Sequence, residues 1–198
     1  ILGFSLQSEL SYTNILYLLD HGAIPLYAAQ RDTKFPIIMA GGPAALNPLP
    51  VAPFFDLFVI GDGEEVLPEI IEIFRNWDRN KKAGLLESLA MLEGIWVPEI
   101  HHKDKLIHKR TVKELKEEDS PFPPILPICQ IVHDRLVVET MRGCLWGCRF
   151  CQAGFVNRPL RQRDPDQILK ITERSVRATG WEEVSLLAYS ILDYEGLP

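Results

Sequence analysis

Cys144, Cys148 and Cys151 stand within "RGCLWGCRFCQAG" in a C-x3-C-x2-C spacing, and the chain has 4 cysteines in all. Thiolates crowded this closely on one segment can converge on a single soft metal. A four-iron cluster usually takes four Cys ligands. Three would leave one iron open, and an open coordination position is what makes a metal site catalytic instead of structural. Gly143 and Gly147 precede two of the cysteines and predict tight backbone turns that bring amide N–H groups toward sulfur. Zinc is the rival metal, with Cys129 or His133 as a fourth ligand in a non-enzymatic, metal-stabilised binding module. Zinc sites, however, mostly use separated pairs such as C-x2-C, and the x3-then-x2 triple is unlike them. Cys129 itself reads as an ordinary thiol.

These residues need elements to position them. "RLVVETM" predicts a strand that delivers the chain into the cysteine loop. "DPDQILKITERSVRATG" predicts a helix with Asp164 as N-cap, Pro165 as first residue, Gln167 completing a capping box and Gly180 just past its end. "EVSLLAYS" predicts the next strand, so the cysteine loop follows the first strand of a βαβ unit. Arg158, Arg161 and Arg163 lie after the loop and read as a solvated or interdomain ion-paired charge run in preference to a substrate-binding cluster.

The front of the chain repeats the alternation. "ILGFSL", "PIIMA" and "DLFVI" predict strands. "SYTNILYLLDHG" predicts a helix from near Ser11 to Gly22. Val66, Leu67, Ile70, Ile71, Phe74 and Trp77 predict a second helix by their i, i+3, i+4 spacing. Apolar strands between amphipathic helices imply an α/β fold with a parallel sheet covered on both faces. Ligands of such sheets bind beyond the strand carboxyl ends, where Gly41-Gly42 and Gly61-Asp62-Gly63-Glu64 fall. His21 reads as a helix-end residue. "AGLLESLAMLEG" predicts a short helix, "IWVPEIHHKDKLIHKRTV" a hairpin, and "KELKEEDSPFPPILP" a linker. The expected division is 1–80, a connecting region 81–125, and 126–198.

Among 198 residues 46% are apolar and the net charge is −6. A packed core is therefore expected, and bulk binding of nucleic acid is not. No apolar run is long enough to span a bilayer and no signal peptide is recognisable, so a cytoplasmic location is expected. The ends, opening on a strand and stopping just after another, read as those of a piece of a longer protein.

The cysteine triple, with an aromatic residue (Phe150) just before its third Cys, resembles the signature of radical SAM enzymes. That resemblance implies a 4Fe-4S cluster on Cys144, Cys148 and Cys151 and a partial (β/α) barrel begun by the strand before the loop. It implies S-adenosyl-L-methionine (SAM) chelated by the open iron and cleaved reductively to methionine and a 5′-deoxyadenosyl radical. It also implies a reductant such as flavodoxin or ferredoxin. Phe150 would pack near the adenine. Ser190 and Asp193 in "AYSILDYEG" stand where family members carry a Gly-Gly-Glu-like SAM contact.

The order strand–"MAGGP"–strand–"IGDGEE" resembles the later part of the cobalamin-binding Rossmann-like domain that precedes many such barrels. Gly41, Gly42, Gly61 and Gly63 are then the cofactor-side residues, and cobalamin becomes a candidate cofactor. The family's cobalt-ligating Asp-x-His-x-x-Gly loop would lie before the strand that opens this sequence, and Leu19–Ile24 is not that motif. From "LGFSLQSELSYTNILYLLD" to "RGCLWGCRFCQAGFVNRPLRQR" the chain is similar to a bacterial group of radical SAM proteins with a B12-binding-like N-terminal domain.

Overall fold

Short apolar runs separated by amphipathic segments must bury both strand faces, and the computed structural model, which describes residues 1–197, does this in its first unit. The chain divides into two compact units, Ile1–Val112 and a second beginning at Lys113. In the first, β1 (Leu2–Ser5), β2 (Ile38–Gly41), β3 (Leu57–Val59) and β4 (Ile95–Trp96) form a sheet in the order β1-β2-β3-β4. β1, β2 and β3 run parallel, with Leu2 opposite Ile38 and Met39 opposite Leu57. β4 closes the edge antiparallel to β3.

Side chains alternate across the sheet. Ile38, Ala40, Phe58 and Trp96 join one core with Ile15 and Leu19 of α1 (Tyr12–His21). Leu57, Val59 and Ile95 face the other way, onto Val66 and Ile70 of α2 (Val66–Arg75) and Leu85, Leu86 and Leu89 of α3 (Lys82–Ala90). A strand buried on both faces reads as a continuous apolar run, which is why all three β3 residues are buried.

Several expectations are corrected here. The hairpin expected over "IWVPEIHHKDKLIHKRTV" does not form. Its two arms instead flank the end of β3: Ile60 N–H donates to Gly94 O at 2.7 Å, and Arg110 N–H donates to Ile60 O at 2.9 Å. Buried backbone N–H and C=O groups must be paired, and these two segments pair those of Ile60. Residues 81–112, grouped from the sequence with a connector, therefore pack as part of the first unit. α2 stops at Arg75, short of Trp77, and leaves Leu67 and Ile71 exposed.

A buried ion triad ties the first unit's connections. The Asp56 carboxylate, almost fully buried, accepts from Ile38 N–H at 2.7 Å and from Arg31 Nη2 at 3.2 Å, and lies 2.7 Å from Lys82 Nζ. Arg31 also donates to the carbonyls of Pro25, Leu26 and Phe54.

The second unit is one βαβ element with an inserted ribbon. β5 (Leu136–Glu139) pairs in parallel with β8 (Val184–Leu187), and α5 (Pro165–Thr179) connects them. Between β5 and α5 the chain makes β6 (Met141–Arg142), the cysteine loop, α4 (Ala153–Val156) and β7 (Arg161–Gln162), with β6 and β7 antiparallel. Leu136, Val138, Met141, Ile168, Ile171 and Tyr194 form its core. α5 has the expected ends: Asp164 accepts from Asp166 N–H at 2.8 Å, Pro165 opens the helix, and Gly180 closes it at φ 76°. The expected capping box does not form, because Asp164 takes the N–H one residue earlier and Gln167 Oε1 has no partner. Among the described residues no helix is long and apolar enough to cross a membrane.

Candidate functional site

β5 carries the chain to Glu139, and Thr140 is fully buried there, its backbone N–H and hydroxyl both donating to Leu187 O. That pins the end of β5 to β8 just before the cysteine loop begins. Gly143 then turns the backbone at φ 94°. A Cβ there would lie 2.6 Å from Pro159 O and 2.7 Å from Asn157 O, so both conformation and space demand glycine. Gly147 differs: it has no positive φ, and its nearest neighbour, Arg158 Nη2, is 3.9 Å from a built Cβ. The tight turn expected at Gly147 is not made there.

The three cysteines are free thiols on this one loop. Cys144 and Cys151 are half-buried and Cys148 is exposed. Cys151 N–H donates to Cys148 O at 3.0 Å, folding the C-x2-C portion into a turn. Among the described residues no three Cys, His, Asp or Glu side chains are gathered closely enough to hold a metal ion. Ligand thiols must be deprotonated to bind a metal, so binding the ion and gathering the thiolates are coupled. The donor set itself fits an iron–sulfur cluster: three unpaired thiols, one short loop, exposed surface around them. Leu145, Trp146 and Phe150 are all exposed, Phe150 at 92%. The Phe150 ring is thus available as an apolar face beside Cys151. Cys129 and His133 are both exposed.

The arginines after the loop are a second correction. Arg161 and Arg163 are buried, not solvated, at 6% and 4% exposure, and the ion pair Arg163 makes is with Glu139 of its own unit. Their partners are chiefly backbone carbonyls. Arg161 Nε donates to Pro159 O at 3.1 Å. Arg163 Nε donates to Glu139 O at 3.0 Å, and its Nη2 lies 3.8 Å from the Glu139 carboxylate. Arg142 makes a two-pronged ion pair to the same carboxylate, both contacts at 2.9 Å. Glu139 is therefore the hub that joins β5, β6 and Arg163, the residue just after β7. Sequence reasoning missed it, although a carboxylate at the end of an apolar strand was a visible signal. Arg158 stays exposed and stacks over the Phe155 ring at 4.7 Å.

Ser190 and Asp193, expected as SAM contacts, lie in the turn after β8. There they meet the cysteine loop. Trp146 Nε1 donates to Asp193 Oδ2. The Ser190 hydroxyl and the Trp146 indole together hold the Asp193 carboxyl below the usual carboxylate range.

The glycine turns of the first unit have a local explanation. A Cβ on Gly61, at φ 116°, would stand 2.0 Å from Arg110 O, and one on Gly42, at φ 95°, would stand 2.9 Å from Leu6 O. The close approach these glycines permit is that of the chain's own backbone. Asp62 accepts from Val112 N–H at 3.0 Å, and Arg110 pairs with Glu65 and Glu69. Gly41 and Gly63 have negative φ and less severe crowding. A cavity of about 520 Å3 in this unit is lined by Tyr27, Arg31, Phe55, Asp56, Lys82 and Glu99 among others. Lys82 and Arg31 in its wall already serve Asp56 and carbonyl groups.

Residues 1–98 match the model of the N-terminal region of radical SAM proteins. An uncharacterized protein of Methanocaldococcus jannaschii is 27% identical over 96% of this chain and 38% of its own length. The anaerobic magnesium-protoporphyrin IX monomethyl ester cyclase of Cereibacter sphaeroides is 26% identical over 65% of this chain and 21% of its own. The chain thus spans well under half the length of these relatives. The comparisons support a radical SAM-type protein.

Proposed function

We propose that this chain carries the cluster-binding part of a radical SAM enzyme, with Cys144, Cys148 and Cys151 as the protein ligands of a 4Fe-4S cluster whose fourth iron takes SAM. The single observation that supports this most is the placement of three free thiols on one exposed loop directly after the first strand of a parallel βαβ unit. When bound, such a cluster supplies the electron that splits the sulfonium of SAM. The chain's own residues prepare the place for it. Gly143 sets the loop's direction, and the Glu139–Arg142–Arg163 network fixes its base. The three thiols must lose their protons to serve as ligands. Phe150 offers an exposed ring for the adenine. A one-electron donor such as flavodoxin or ferredoxin belongs to this reading. Cobalamin is not required by this reading; the backbone of Leu6 and Arg110 stands close to Gly42 and Gly61, while Gly41 and Gly63 are less crowded.

The test is metal content of the full chain after anaerobic reconstitution. Each single variant, Cys144→Ser, Cys148→Ser and Cys151→Ser, is expected to lose most iron and sulfide. The Cys129→Ser/His133→Ala double variant is expected to keep both. Loss in the double variant, with zinc in the parent protein, would mean a structural zinc site and would end this reading.

A further inference from the structure

We propose that the turn after β8 is a bracket that holds the cysteine loop at both ends, with Trp146 and Asn157 as the positioning residues it acts through. Two contacts far apart in sequence carry this. Trp146, between the first two cysteines, donates its indole N–H to Asp193. Asn157, just past α4, donates Nδ2–H to Tyr189 Oη at 3.0 Å. The segment between them contains Cys148 and Cys151, and Arg158 also ties it locally, donating to Gly154 O at 3.1 Å and to Trp146 O at 3.5 Å. Residues 145–150 are all exposed.

The bracket itself is anchored. Asp193 N–H donates to Ser190 O at 3.0 Å, closing a single 3-10 turn over Ile191–Asp193. Tyr194 is buried in the core and its hydroxyl donates to Arg163 O at 2.8 Å. Ile191 packs on the same core. A loop with little burial of its own is thus tied to a turn that has it. The assignment changes the role of Asp193. Resemblance makes it a contact for the SAM amino group, but its carboxylate is already engaged by Trp146 and Ser190. It positions the loop.

What is being positioned rests on the function proposed above, but the bracket can be tested without the cluster. Arg149 lies at the exposed crest of the loop and is a trypsin site. Cleavage there follows the fraction of time the loop is open. In the cluster-free full chain, Trp146→Phe and Asp193→Ala are each expected to raise the rate of native-state cleavage after Arg149 roughly two- to tenfold, the range that one hydrogen bond supports. The double variant is expected to be cleaved no faster than Asp193→Ala alone, because the Trp146–Asp193 bond is already lost in each single. Unchanged rates in the singles, or effects that multiply in the double, would overturn the bracket.

A second readout uses reconstituted protein. Both single variants should release iron to a chelator faster than wild type, and the double variant no faster than Asp193→Ala alone. If Asp193→Ala abolished the SAM-induced change in the cluster's electron paramagnetic resonance spectrum while Trp146→Phe left it intact, Asp193 would be a ligand contact and the bracket assignment would fail. A wild-type chain that assembles no cluster would remove the proposed function and leave the cleavage result standing.

Discussion

Gly143 and Gly147 occupy equivalent places before two cysteines, and the structure separates them. Gly143→Ala forces a side chain into φ 94° and against two carbonyls under 3 Å away. Strain of that kind costs about 1–3 kcal/mol, so this variant is expected to lower the thermal midpoint of the protein and to reduce iron uptake. Gly147→Ala meets open space and is expected to stay within about 0.5 kcal/mol of wild type. Paired unfolding curves check both. The sequence carried the need for glycine near the cysteines, but not which glycine faces a crowded backbone, because Pro159 and Asn157 arrive from a later turn. The same blindness hid Arg161 and Arg163. A basic run reads as solvated until the carbonyls that receive it are placed, and here those carbonyls belong to the loop and to β5.

At the scale of elements, local signals were legible and pairings between distant segments were not. Asp164, Pro165 and Gly180 mark α5 because capping chemistry is contained within a turn of the helix. The fate of "IWVPEIHHKDKLIHKRTV" depended on an edge of β3 that lies far back in the sequence. Gly61 shows what that pairing demands. Gly61→Ala would place Cβ 2.0 Å from Arg110 O and is expected to cost about 2–4 kcal/mol by unhooking residues 109–112. Hydrogen exchange at Asp62 and Arg110, whose N–H groups make the pairing bonds, should rise with it.

His101 supplies a pH test for the same region. Its Nδ1 accepts from Val97 N–H at 3.1 Å. Burial first, and the nearby Lys105 charge second, push its pKa below the ordinary 6.5. A depressed folded value means that the neutral ring stabilises the fold fully above pH 6.5, and that this contribution fades as pH falls through the lower folded value. Stability of the wild type should therefore decline on acidification in that window, and the slope should flatten in His101→Gln. An unchanged slope would mean the ring is not the titrating group.

For the whole molecule, each unit has cores of its own: two layers around the sheet in the first, one beneath the cysteine loop in the second. The first is closed by a buried ion triad. Asp56→Ala would leave Arg31 and Lys82 without their carboxylate, and removing one partner of a buried pair typically costs about 3–5 kcal/mol. Chemical denaturation of this variant, followed by tryptophan fluorescence, is expected to show a loss of that size. The α/β character and the parallel sheet were readable from alternating apolar runs. The glycine turns beyond the strands suggested a ligand; at Gly42 and Gly61 the backbone of Leu6 and Arg110 also comes close, a pairing with distant segments that no local signal carries. What distinguishes the second unit is chemistry: three free thiols on one exposed loop, held at its base by Glu139 and its arginines.

The most direct test is the electron paramagnetic resonance spectrum of the full chain, purified without oxygen, reconstituted with iron and sulfide, reduced, and recorded with and without SAM. A reduced four-iron signal that changes when SAM is added is the predicted result. A spectrum without a cluster signal, or a cluster signal indifferent to SAM, would contradict the assignment of Cys144, Cys148 and Cys151 to a cluster with an open iron.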